Sequence, residues 1–194
     1  MSRVSKSDVM GMLEEHGAIA SGHFELLSGL HSPTFITTAV ALQYPHIAQK
    51  FAAGICGKFP EEVDVVLAAT AGAAIVGQEV ARRKKCRAIS VERLPSGMIL
   101  KRDFRISLGE KVLVVQDVLT TGRSTSEAVS LALAYGATVV GVGAVVDRSS
   151  APLPLRIAFR SLVSYPSRVY SLDTCPLCVR NVPLKRPMAE GEKI

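Results

Sequence analysis

An acid that closes an apolar run, followed after two residues by hydroxyls and a glycine, is where this chain can do chemistry. The segment reads Val112-Leu-Val-Val-Gln-Asp-Val-Leu-Thr-Thr-Gly-Arg-Ser-Thr125. Asp117 closes the apolar run, and Thr120, Thr121, Gly122, Arg123, Ser124 and Thr125 follow. Gly122 tolerates positive φ, so successive N–H groups can curl into an anion-binding nest. A helix opening just after Ser124 adds its dipole and free donors, which favours a phosphate. The plainer reading is a capped helix start of any α/β protein. The strand-end acid and the density of hydroxyls weigh against it. Two other phosphate motifs fail: there is no Gly-x-x-x-x-Gly-Lys-Ser/Thr, and Gly141-Val-Gly143 lacks the third glycine of a dinucleotide fingerprint.

Elements must hold these residues in place, and the pattern for them is regular after residue 60. Val63 to Ala69 is apolar except for Asp64, a run of the kind found in buried parallel strands, leading into Gly72 and a helix to Lys84. Arg87 to Glu92 is a second strand, followed by a polar stretch over 93–110. Lys111 to Gln116 is a third, and a helix from Thr125 to Tyr135 stops at Gly136. Thr138 to Val146 is a fourth. Upstream, Ser5 or Ser7 caps a helix to Glu15, and Pro45 opens one to Lys58. Residues 23–28 and 34–40 read as two short strands around a turn at Gly29 to Pro33. The stretch 151–194 reads as an added edge strand or as packing beside that hairpin. Alternating strands and helices predict an α/β fold with a mostly parallel sheet, and a ligand site at the strands' carboxyl ends.

The 194 residues suit one domain, and 48% hydrophobic against 21% charged residues excludes a disordered chain. Aromatics are 5% with no Trp, so Val, Ala, Leu and Ile must fill the core. The net charge of +6 permits anionic partners without choosing among them. No apolar stretch reaches the roughly 20 residues of a membrane helix, and a soluble cytoplasmic protein is expected.

The segment at 112–125 resembles the phosphoribosyl diphosphate (PRPP) motif of type I phosphoribosyltransferases. The chain as a whole resembles the orotate phosphoribosyltransferases of that superfamily. Gly22-His-Phe-Glu-Leu-Leu-Ser-Gly-Leu-His-Ser-Pro-Thr-Phe35 is similar to their N-terminal hood, Val145-Val-Asp-Arg148 to a strand ending in Asp-Arg, and Cys175-Pro-Leu-Cys178 to a pair found in one bacterial branch. The resemblance implies a single domain over 1–194: a core over about 45–150, and a hood from about 18–40 with part of 151–194.

It also implies roles. Thr120, Thr121, Gly122, Arg123 and Ser124 would grip the 5-phosphate of PRPP. Asp117 would act on the ribose hydroxyls as the catalytic acid of an acidic pair whose first member is here the uncharged Gln116. Thr70, Ala71 and Gly72 match the pyrophosphate loop in position, with alanines where relatives carry Gly-Pro. The stretch 93–110 matches a mobile catalytic loop that serves the neighbouring subunit. There Arg93 matches the first Arg, Lys101 and Arg102 are the catalytic cations, and the usual His is absent. Arg148, Thr120, Phe35 and Ile36 would bind orotate. A lysine common before the hood's Ser-Gly is Leu27 here. Mg²⁺, held through pyrophosphate and water with no protein ligand, a homodimer, and no membrane or nucleic-acid partner are the further expectations. Transfer to another base, or a PRPP-binding regulator on the same fold, remain as alternatives.

The four cysteines are too few for a disulfide scaffold. One Cys-x-x-Cys offers two ligands where structural zinc takes four, so a tight turn is the expectation there. Arg82-Arg-Lys-Lys85 reads as the charged end of a helix.

Overall fold

The computed structural model describes residues 4–26, 28–101, 103–149, 157–166 and 168–187. The apolar runs become strands β3 (Val65–Ala68), β4 (Arg87–Leu94), β5 (Gly97–Leu100), β6 (Lys111–Leu119), β7 (Thr138–Asp147) and β8 (Phe159–Ser164). They form one sheet in the order β5-β4-β3-β6-β7-β8, parallel throughout except for β4–β5. A separate antiparallel pair, β1 (Ile19–Glu25) and β2 (His31–Ile36), makes the N-terminal hairpin. The helices are α1 (Lys6–Glu15), α2 (Ala39–Leu42), α3 (Pro45–Lys58), α4 (Ala71–Lys84), α5 (Arg123–Ala134) and α6 (Pro176–Val179).

Two-residue periodicity sorts the core onto the two faces of the sheet. On β6, Leu113 and Val115 join a cluster with Phe51, Ile55 and Phe59 of the α3 side. Val112 and Val114 join the opposite cluster with Ala128 and Ala132 of α5. Glycines let α3 and the entry to β8 approach β7. A Cβ on Gly141 would lie 2.8 Å from the Ala158 carbonyl oxygen, and one on Gly143 would lie 2.8 Å from Ile55 Cγ2.

The expected strand–helix alternation matches the observed elements, but β6 runs past Gln116 to Leu119, residues 39–40 fall in α2 rather than in a strand, and three further differences bear on the site. The hairpin turns earlier, because Leu26 N–H donates to the Leu30 carbonyl (2.8 Å) while Gly29 takes φ 76°. Pro33 therefore lies inside β2, opposite the bulge at Gly22 and His23. Its missing N–H costs no ladder bond there. Second, the 93–110 stretch begins as a β-hairpin rather than an irregular loop. Leu94 pairs with Gly97 across Pro95 and Ser96, and Leu100 and Ile106 are buried. Third, α5 starts at Arg123, because Gly122 at φ 76° supplies the N-cap position.

The C-terminal stretch does both things anticipated for it. β8 extends the sheet beside β7, and residues further on bridge to the hairpin at His31–Tyr170 and Phe24–Lys185. Among the described residues, no helix is long and apolar enough to cross a membrane.

Candidate active site

The chain leaves β3 toward β4 on one side and returns to β6 on the other. The crevice between the carboxyl ends of β3 and β6 is therefore the topological switch point of the sheet. The loops carrying Thr70, Ala71 and Gly72, and Thr120 through Ser124, leave from those two ends. Two distant sequence segments thus flank one crevice.

Asp117 projects to the face shared with α4, as alternation from Leu113 and Val115 requires. Its carboxylate accepts from Thr70 Oγ1 (2.8 Å) and from Thr38 Oγ1 (2.6 Å). Thr70 also caps α4 by accepting from Ala73 N–H at 3.1 Å. Gly72 stands against the acid so closely that a Cβ there would collide with Asp117 Oδ2 and lie 2.7 Å from its Cγ. Gly72 is a necessity of this contact. Gln116, one residue back, points to the other face and is buried, its Nε2 donating to Thr125 Oγ1 at 3.0 Å. The structure therefore separates Gln116 from Asp117. Among the described residues, Gln116 Oε1 has no hydrogen-bond partner.

The loop over 120–124 presents exposed Thr120, Thr121 and Arg123 around the buried Gly122, at the head of a twelve-residue helix. Arg93, near the tip of the β4–β5 hairpin, reaches this loop. It donates to Ser124 Oγ (3.3 Å) and pairs with Glu127 (2.5 Å), which also takes Arg123 at 3.1 Å. Hydrogen bonds from Arg93 and then Arg123 hold the Glu127 carboxyl below its ordinary range. Two guanidinium groups are thus gathered beside the loop by one carboxylate.

Arg148 follows β7 directly, its N–H tied to the Leu119 carbonyl at 2.7 Å. Its side chain is 4% exposed, and Nη2 donates to both the carbonyl and the hydroxyl of Thr34, each at 3.2 Å. Nε has no partner among the described residues. Burial pulls the guanidinium pKa down. Phe35 and Ile36 are buried too: Phe35 packs 5.7 Å from the Phe24 ring, and Ile36 belongs to the core cluster on the α3 side. An open cavity of about 380 Å³, lined by Thr34, Ser164, Tyr165 and Arg168 among others, adjoins the residue that holds Arg148.

Lys101 is exposed after β5, its N–H bonded to the Ser90 carbonyl. Arg102 and Leu27 lie outside the described residues. Sequence reasoning missed Thr38, which shares Asp117, and Glu127, which organises the arginines. The Ser-Thr-Ser-Glu run opening α5 was the available signal for Glu127, being one helical turn from Arg123. It also missed that His23 and His31 meet Cys175 and Cys178, since no local spacing links them.

A family model described as phosphoribosyl transferase domain matches residues 42–171. The orotate phosphoribosyltransferase of Caldanaerobacter subterraneus is 40% identical over 95% of this chain and 97% of its own length. That of Thermotoga maritima is 37% identical over 94% and 98%. Among solved structures, the orotate phosphoribosyltransferase of Aeropyrum pernix superposes with TM-score 0.70 at 22% identity, covering 80% of this chain and 93% of that one. Adenine phosphoribosyltransferase from Rhodothermus marinus gives 0.60 at 19%, covering 80% and 99%. Likenesses at such identities speak for fold alone, but the sequence relatives extend over nearly the whole chain, and the chain belongs to the phosphoribosyl transferase family, among its orotate phosphoribosyltransferases.

Proposed function

We propose that the protein transfers the phosphoribosyl group of PRPP to orotate, yielding orotidine 5-phosphate and pyrophosphate in pyrimidine synthesis. Arg148 is the observation that carries this reading: a buried guanidinium at the border of hood and core, lacking a carboxylate partner among the described residues. A planar donor fork of this kind matches a carboxylate beside a ring carbonyl, as orotate presents. Uracil and adenine lack that carboxylate.

In this mechanism Thr120 through Ser124 bind the 5-phosphate, and Arg93 and Arg123 add charge beside it. The bond from the anomeric carbon to pyrophosphate breaks first, its electron pair leaving with pyrophosphate, and the bond to the orotate ring nitrogen then forms as that nitrogen gives up its proton to water. Asp117 faces the positive charge that builds on the ribose between those events, so its contribution is largest in the transition state. Thr38 and Thr70 hold its carboxylate in one orientation. Gln116 supports the loop from beneath through Thr125. Thr70, Ala71 and Gly72 offer the start of α4 to the pyrophosphate, and Lys101 and Arg102 add positive charge when their segment closes. Phe35 and Ile36 act by packing, since they fix β2, whose Thr34 holds Arg148.

The donors in the crevice are carboxylate and hydroxyl oxygens, which suit Mg²⁺ arriving on pyrophosphate with part of its water shell. The ion would neutralise the leaving group. A homodimer in the cytoplasm completes the reading. The test is pyrophosphate release from PRPP and Mg²⁺ against orotate, uracil and purines in turn. Release with orotate alone supports the proposal, and release only with another base overturns it.

A further inference from the structure

The hood is small. Two strands and a C-terminal strap make it up, and an isolated hairpin is only marginally stable in water. Four side chains from its separate pieces converge. His23 lies on β1, His31 opens β2, Cys175 precedes α6, and Cys178 follows one turn later. Their ligand atoms all lie within 4.8 Å of one another, and His23, His31 and Cys175 are buried.

The separations are those of a coordination polyhedron. Cys175 Sγ and Cys178 Sγ lie 3.5 and 3.7 Å from His23 Nε2, and Cys178 Sγ lies 3.2 Å from His31 Nδ1. Bonds of about 2.3 Å to sulfur and 2.0–2.1 Å to nitrogen give tetrahedral N–S edges of roughly 3.6 Å. The two imidazole nitrogens are closer, at 2.8 Å, and open by about half an ångström to reach the tetrahedral edge.

The outer contact of His23 fixes its tautomer. Nδ1 lies 2.8 Å from the Val182 carbonyl, which can only accept, so Nδ1 carries the proton and Nε2 turns a lone pair inward. A ligating histidine typically has this arrangement. The strap holds its position through backbone bonds: Lys185 N–H donates to the His23 carbonyl (2.8 Å), and His31 and Tyr170 exchange two bonds of 2.9 Å.

We propose that His23, His31, Cys175 and Cys178 bind one Zn²⁺ ion that clamps the C-terminal strap onto the hairpin. Two thiolates and two imidazoles select a borderline-soft tetrahedral ion over Mg²⁺. Four protein ligands leave no open position, so the role is structural. The site shares no residue with the phosphate loop or the Asp117 crevice. It nonetheless governs Arg148, because Thr34 lies on the clamped hairpin.

The test begins with wild-type protein purified under reducing conditions and measured by elemental analysis. About one zinc per chain is expected. Replacement with Co²⁺ should give the visible d–d bands of a tetrahedral centre and a thiolate charge-transfer band. Chelation should expose two additional thiols to a thiol reagent and lower the melting temperature by roughly 10 °C. Zn²⁺, but not Mg²⁺, should reverse both effects. Cys175→Ser/Cys178→Ser should abolish the charge-transfer band; should that variant not fold, the wild-type Co²⁺ spectrum and thiol count decide. Substoichiometric zinc after incubation with Zn²⁺, a Co²⁺ spectrum without tetrahedral bands, or a Cys175–Cys178 disulfide in freshly isolated protein would each overturn the proposal.

Discussion

In the proposed reaction Asp117 and Arg148 divide the chemistry between them, and each makes a separate prediction. If Asp117 acts on charge that exists only as the glycosidic bond breaks, Asp117→Asn should lower kcat by about a hundredfold or more while PRPP binding changes little. Rapid-mix turnover together with PRPP titration separates the two. A loss confined to PRPP affinity would assign the carboxylate a ground-state role. Arg148→Lys should raise KM for orotate at least tenfold, with KM for PRPP nearly unchanged, because an ammonium cannot span carboxylate and carbonyl together. Equal loss for both substrates would mean that Arg148 serves the Thr34 contact alone. Asp117 was legible as an acid near a strand end, although β6 runs two residues beyond it to Leu119. Its partner Thr38 was not, because 79 residues separate them and only the packing of the segment before α2 against β6 brings the hydroxyl within 2.6 Å.

At the level of elements, glycines set the closest approaches. Gly72 lets the start of α4 lie against the Asp117 carboxylate, so Gly72→Ala must displace one or the other. The expected result is a severe fall in kcat with a modest drop in melting temperature, followed by kinetics and thermal unfolding on one preparation. Gly141 has no such tie to the site. Gly141→Ala presses on the Ala158 carbonyl and the Phe59 ring, at a cost of about 1–3 kcal/mol. That amounts to a melting temperature lowered by roughly 5 °C with kcat intact. At the head of α5, Glu127 has a folded pKa below its unfolded one. Its pairing with Arg93 and Arg123 therefore stabilises above the ordinary glutamate range and is lost as pH falls through the depressed value. The melting temperatures of wild type and Glu127→Gln should differ at neutral pH and converge in acid.

For the whole molecule, the open question is whether one chain builds a complete site. Arg93 already reaches Ser124 and Glu127 of its own chain, which brings the β4–β5 hairpin to its own phosphate loop. If Lys101 and Arg102 instead act in the partner subunit, mixing Asp117→Asn with Lys101→Ala/Arg102→Ala should restore activity. Random exchange gives hybrid dimers with one intact site each, and recovery of about a quarter of wild-type activity is expected. No recovery after exchange has been demonstrated by mass spectrometry would mean that each chain supplies its own cations.

The sequence by itself determined the sheet, because short runs such as Val65 to Ala69 and Val112 to Val115 are apolar on both faces. It also made the loop over 120–124 legible, because its features are local: hydroxyls, a glycine and a helix start within a few residues. Hairpin boundaries were less legible, since Pro33 reads as a turn residue in sequence but lies inside β2, opposite the bulge in β1. What only the tertiary structure decided are the contacts between distant segments. Gln116 and Asp117 are neighbours in sequence, yet the pleat sends them to opposite faces, one to Thr125 and the other to Thr70. Cys175 and Cys178 offered half of a ligand set, and the other half came from His23 and His31, over 140 residues away. No spacing rule reaches that far, because the distance closes only when the strap pairs with the hairpin.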